Sequence, residues 1–149
     1  MFIPMLNHGG TEMGQGLLTK VAQVVAEVFK LEVARIKVTA TDTSKVPNTA
    51  PTAASSGSDL NGMAAKAAAL TIRERMAIHA AEMFGVEASD VRFEPNRITA
   101  GEQSVSFQAL AKACHEARIS LSSTGFYRTP LIHSDRTTAQ GRPFYYYAY

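Results

Sequence analysis

Residues 59–84 constrain this chain most: they hold no proline, eight alanines, and apolar residues at helical spacing, which predicts one long helix. At 1.5 Å per residue such a helix is about 40 Å long, comparable with the width of a small domain. In a chain of 149 residues, which is one domain's worth, the rest must pack along it. Leu60, Ala64, Ala68, Ile72, Met76, Ala80 and Met83 fall on one flank, and Ser58 is placed to cap the start. The alanines matter as much as the stripe, because a surface without bulk lets another backbone approach closely.

Two shorter helices flank it. Leu17, Val21, Val24, Val25 and Val28 recur at helical spacing over residues 17–29, opened by glycines at 9, 10, 14 and 16. Ser106 caps a third helix whose apolar stripe is Phe107, Leu110, Ala111 and Cys114. Strands are expected where Ile36, Val38 and Ala40 alternate with polar residues, around Val91 and Phe93, and near Ile98 after a turn at Pro95-Asn96. Two further β-like stretches, 119–126 and 143–149, enclose a polar loop. Three helices with five or six strands give an α+β fold, read as a two-layer mixed α/β sandwich with the helices packed on a small sheet.

The loop at 42–58 is long for a compact domain, and loops of that length are often functional. Its last part, Pro51-Thr52-Ala53-Ala54-Ser55-Ser56-Gly57-Ser58, offers hydroxyls and leads into the long helix, so it is either an anion cradle or a Ser-rich capping loop. His8-Gly9-Gly10-Thr11-Glu12-Met13-Gly14-Gln15-Gly16 precedes the first helix and admits the same two readings, an anion cradle or a plain tight turn. It is neither a Walker loop, since Gln15 stands where lysine would follow the glycine, nor a dinucleotide fingerprint. Ser123-Thr124-Gly125-Phe126-Tyr127-Arg128-Thr129-Pro130 and the aromatic end at 143–149 are further candidates, with Arg128 read as a solvated arginine and the end as a strand. His8, His79, His115 and His133 lie in separate elements without metal-ligand spacing. Cys114 is the single cysteine and reads as a buried thiol, so no multi-cysteine zinc or iron–sulfur site lies within these residues. Glu12 has no neighbour in sequence that marks it as a general base.

Gly9-Gly10-Thr11-Glu12-Met13-Gly14-Gln15-Gly16, Val46-Pro47-Asn48-Thr49, Pro51-Thr52-Ala53-Ala54-Ser55 and Asp59-Leu60-Asn61-Gly62 together resemble the molybdopterin-binding region of the xanthine dehydrogenase and aldehyde oxidase family. Ser123-Thr124-Gly125-Phe126-Tyr127 with Thr129-Pro130, then Gly141-Arg142-Pro143-Phe144-Tyr145-Tyr146, is closer to the xanthine dehydrogenase branch, which implies a purine substrate. The resemblance covers residues 8–149, with 1–7 as an atypical N-terminal segment. It implies a molybdenum–molybdopterin cofactor held mostly by backbone groups and small side chains. Met13, Gly14 and Gln15 would contact the cofactor, Ala54 would lie beside the molybdenum, and Ser55, Ser56 and Ser58 would hold its phosphate end. Gly57 departs from relatives with serine there, leaving the backbone amide to serve. The implied reaction hydroxylates xanthine or hypoxanthine with water as the oxygen source, electrons leaving through iron–sulfur clusters and FAD on partner segments.

The general-base glutamate of that family belongs to a motif beyond the last matched segment, and the substrate-gripping residues to segments before Gly9. The chain is therefore expected to be a fragment with no catalytic residue of its own, inactive without the remainder of the molybdenum-binding chain and an iron–sulfur/FAD subunit. A net charge of +2, with the basic residues scattered, points to no nucleic-acid partner. The absence of a long apolar run or a signal-peptide pattern points to no membrane and a cytoplasmic location.

Overall fold

The computed structural model describes residues 2–39, 42, 44–45, 51–53 and 56–142. Its first unit is a strand, a helix and a parallel strand: β1 (Met5–Leu6), α1 (Leu17–Phe29) and β2 (Lys37–Val38). Met5 pairs with Lys37 and Leu6 with Val38, and the ladder is extended by Lys37 N–H donating to Pro4 O and Thr39 N–H to Leu6 O. Residues 1–7 carry no strand pattern in their side chains, yet they supply β1, because a short parallel pairing asks only for backbone groups.

The long helix α2 (Gly57–Phe84) follows. Its N-cap is Ser56 rather than Ser58, which sits inside the first turn, and the Ser56 side chain does not bond to the opening amides. The buried face departs in part from the expected flank: Met76 and Ala80 are buried as expected, but Gly62, Ala65 and Ala69 are buried as well, while Leu60 and Met83 are exposed. α1 decides this. Its Leu17, Val21, Val25, Val28 and Phe29 need a partner, and the glycine-and-alanine side of α2 admits them, with Val24 lying 3.6 Å from where a Cβ on Gly62 would stand. Because alanines and charged residues such as Lys66, Arg73, Glu74, Arg75 and Glu82 are both spread around α2, periodicity alone gave little to choose a face by.

After Gly85, β3 (Arg92–Glu94), β4 (Arg97–Ala100) and β5 (Gln103–Ser106) form an antiparallel meander, and α3 (Phe107–Glu116) closes the core. β5 has no apolar alternation and is held by its register with β4, where Ile98 faces Val105. Ser106 caps α3 as expected, its hydroxyl accepting from Ala109 N–H at 3.2 Å. Asn96, at the β3–β4 turn with φ 60°, takes a bond from Arg35 on its side chain, donates its amide to Lys30 O and accepts from Phe107 N–H. It thereby ties the end of α1 to the start of α3, where Phe29 and Phe107 meet at 5.6 Å.

Residues 119–126 were expected as a strand. Their burial alternates with period two, but they join no ladder among the described residues and run along α2 instead. Arg75 donates to Ser120 O at 3.2 Å and Ser122 O at 3.0 Å, and a Cβ on Gly125 would stand 1.8 Å from Ala64 O. Two α2 alanines, Ala64 and Ala68, provide that clearance, the close backbone approach that the alanine content foretold. The polar loop after them contains a hairpin, β6 (His133–Asp135) and β7 (Gln140–Arg142), while the expected strand at 143–149 lies outside the described residues. The result is an α+β fold of three helices and, among the described residues, three small sheets rather than one.

Gly125→Ala is expected to cost about 1–3 kcal/mol through overpacking, read as a lower urea midpoint at unchanged slope. An unchanged midpoint would mean that this segment does not lie on α2.

Candidate functional site

The β1–α1 loop and the segment before α2 converge. Thr11 N–H donates to Thr52 Oγ1 at 2.8 Å across 41 positions of sequence. Beneath this bond Leu17, 1% exposed, fills the space between two glycines: a Cβ on Gly10 would stand 2.6 Å from Leu17 Cδ2, and one on Gly57 3.3 Å from it. The Asn61 side chain donates to Gly57 O at 2.8 Å and lies 2.8 Å from the same Gly10 position. Gly10 and Gly57 are therefore required for close approach and not for flexibility.

His8 forms the floor. It is 8% exposed, and its Nδ1 accepts from Gly10 N–H at 3.1 Å, which requires the neutral ring. Burial pushes its pKa below the ordinary histidine value.

The loop above is shaped by its own side chains. Glu12 Oε1 accepts from Gly14 N–H and Gly16 N–H, both at 2.9 Å, and Oε2 accepts from Leu18 N–H at 3.0 Å. The bond from Leu18 is the largest influence, followed by that from Gly16, in holding this carboxyl below the usual carboxylate range. Glu12 is thus ionised and committed to backbone amides, a poor general base, although nothing beside it in sequence announced the shift. Gln15 spans the loop, its amide donating to Thr11 O at 2.8 Å and its carbonyl accepting from Met13 N–H. Gly14 and Gly16 have φ of 95° and 75° with nothing within 4 Å of a would-be Cβ, so their outer face is open to a ligand. Met13, Gly14 and Gln15 are all exposed at the loop tip.

On the other side, Ser56 Oγ donates back to Ala53 O at 2.8 Å, and Ser58 is exposed in the first turn of α2. Ala54, Ser55 and the Val46-Pro47-Asn48-Thr49 motif lie outside the described residues. The third sequence motif also reaches this end of α2, with the Tyr127 hydroxyl donating to Asp59. Desolvation raises the Asp59 pKa, and the Tyr127 bond opposes that rise. His8, Thr52, Asn61 and Tyr127 were not foreseen as working together. All four sit in the sequence motifs, but only tertiary contact reveals what they hold.

The remaining candidates stand apart. His79 faces Glu82 at 3.1 Å on α2, His115 stacks near Phe2, and His133 lies in β6, so no group of metal-binding side chains forms among the described residues. Cys114 is fully buried, which raises its pKa, as a structural thiol requires. Arg128 is exposed. Among the described residues no helix is long and apolar enough to cross a membrane.

A family model described as molybdopterin cofactor-binding domain matches residues 4–149. The chain belongs to the molybdopterin cofactor-binding domain family. It is 42% identical over 145 residues to xanthine dehydrogenase of Oryza sativa subsp. japonica and 39% to xanthine dehydrogenase/oxidase of Mus musculus, covering 97% of this chain and 9% of each relative. It is also 39% identical over 145 residues to nicotinate hydroxylase hnxS of Emericella nidulans, covering 96% of this chain and 9% of that protein. The chain therefore spans about a tenth of the length of the curated relatives it matches. Among solved structures, a Cu,Mo-CO dehydrogenase shares the fold with a TM-score of 0.73 at 22% identity, over 85% of this chain and 17% of that one.

The residues present suit the cofactor of the family: the glycine backbone at the loop tip has an unobstructed outer face, and the start of α2 carries amides that the Ser56 side chain leaves uncapped.

The lowered pKa of His8 sets a pH dependence. Above the unfolded value of 6.5 both states are neutral and its contribution is intact; below 6.5 the unfolded chain takes up a proton that the folded chain resists, so stability falls with pH. Urea unfolding between pH 7 and pH 5 should show this fall, and His8→Asn, which keeps an acceptor for Gly10, should flatten it.

Proposed function

We propose that this chain is the part of a molybdenum hydroxylase of the xanthine dehydrogenase type that cradles the molybdopterin cofactor. Met13, Gly14 and Gln15 would meet the cofactor from the β1–α1 loop, and Ser55, Ser56 and Ser58 would hold its phosphate end from the start of α2. Ala54 would stand next to the molybdenum. The observation that carries this is the Thr11–Thr52 bond, which joins both loops into one wall. When bound, the cofactor supplies the redox centre at which an electron-poor ring carbon is hydroxylated with oxygen from water. The chain's own residues bind and orient it: small side chains admit it, backbone amides meet its acceptors, and neutral His8 keeps the glycine turn in place.

The similarity to xanthine dehydrogenases supports a purine such as xanthine or hypoxanthine as substrate, a cytoplasmic setting, and electron transfer to iron–sulfur clusters and FAD on partner segments. Partners are supported by the surface too. Leu60, Met63, Leu70 and Ile78 of α2 and Phe126 and Leu131 beyond it are exposed, and the much longer relatives have chain to cover them. A second reading, an anion- or pterin-binding module without redox chemistry, is favoured by the uncapped start of α2.

The 149 residues alone are expected to form no urate from xanthine. Assembled with the remainder of a molybdenum-binding chain, they should retain molybdenum and pterin, and Thr52→Val should lower the molybdenum retained severalfold. Phosphate or nucleotide binding without molybdenum, in the assembled protein, would select the second reading.

A further inference from the structure

Two helix starts face the junction, and they are not equivalent. The first amides of any helix lack partners within the helix and attract negative charge. At α1 that demand is already met by the chain, because the Glu12 carboxylate folds over the helix start and takes three amides, those of Gly14, Gly16 and Leu18. The positive φ of Gly14 and Gly16 lets their N–H groups converge on a single oxygen, a nest built around an anion. Gln15 then holds Thr11 to Met13, so the inward side of residues 11–16 is consumed by the loop's own side chains. At α2 the Ser56 side chain caps no amide and bonds backwards to Ala53, and the one first-turn carboxylate, Asp59, accepts from the Tyr127 hydroxyl.

We infer that Glu12 is the resident anion of the α1 start: it positions residues 13–16 as a fixed platform and closes that helix end to phosphate. On the cofactor reading above, on which this purpose rests, a phosphate-bearing ligand is then directed to α2, and the β1–α1 loop meets only its uncharged parts. Of the two readings open for each loop, the anion cradle therefore holds for one loop at most. A full negative charge outweighs the roughly half-unit of positive charge at a helix start, so a second anion there is repelled.

Glu12→Ala removes the carboxylate from an exposed position without touching the core, and Glu12→Gln keeps its size while presenting an NH2 group where Leu18 needs an acceptor. Residue-resolved amide exchange on the full chain, free of cofactor, reads the result. In Glu12→Ala the amides of Gly14, Gly16 and Leu18, and in Glu12→Gln that of Leu18, should exchange at least about tenfold faster, as loss of a charge-assisted bond implies, while Val25 in mid-α1 is unchanged. Inorganic phosphate should slow these three amides in Glu12→Ala and leave the unsubstituted chain unaffected. Unchanged exchange, acceleration spread evenly through α1, or phosphate protection of the unsubstituted chain would each overturn the assignment. Failure of the cofactor reading shows separately, as absence of molybdenum from the assembled protein, and leaves these measurements intact.

Discussion

The Leu17 side chain, wedged between Gly10 and Gly57, is the contact on which the site depends. It is the first residue of α1 and belongs to the main core cluster, so the packing that buries α1 also sets the distance between the two loops. Among the described residues, neither loop carries an apolar anchor of comparable size at the junction. Their relative position is inherited from the helix pair beneath, and the Thr11–Thr52 bond then fixes the register between them. This division suits a cofactor site: the rigid part lies in the core, where packing is dense, and the part that meets a ligand is left with backbone and small side chains.

Much of this was legible in the sequence because it depends on local pattern. The helix at 17–29 has a clean apolar stripe, and Ser106 precedes Phe107 in the manner of an N-cap, so both matched to the residue. The α2 face was misread for the opposite reason: with alanine on nearly every side, burial is chosen by what α1 brings and not by α2 itself. Residues 119–126 have the alternation of a strand and are packed with that alternation, but their partner is a helix surface, a choice no local pattern encodes. β5 escaped notice since Gln103-Ser104-Val105-Ser106 takes its conformation from pairing with β4.

The site divides in the same way. Glycine and serine content pointed to loops that approach a ligand by their backbone, and the two loops do meet. What the sequence could not show is that Glu12 turns back onto its own loop, because a carboxylate six residues ahead of Leu18 becomes its neighbour only after two glycines adopt left-handed φ. The role of His8 was hidden likewise: nothing in the local sequence shows that its ring lies under the turn and accepts from Gly10 N–H.

Asn96 has a consequence for how the chain reaches this structure. It belongs to a hairpin that forms from near neighbours in sequence, yet it takes its bonds from Arg35 and gives its amide to Lys30, more than sixty positions earlier. Contacts between distant positions are slow to form because the intervening chain must be gathered first. The β3–β4 turn is built from near neighbours, so in its finished form it offers the α1 end a dock whose geometry does not depend on the long connection between them.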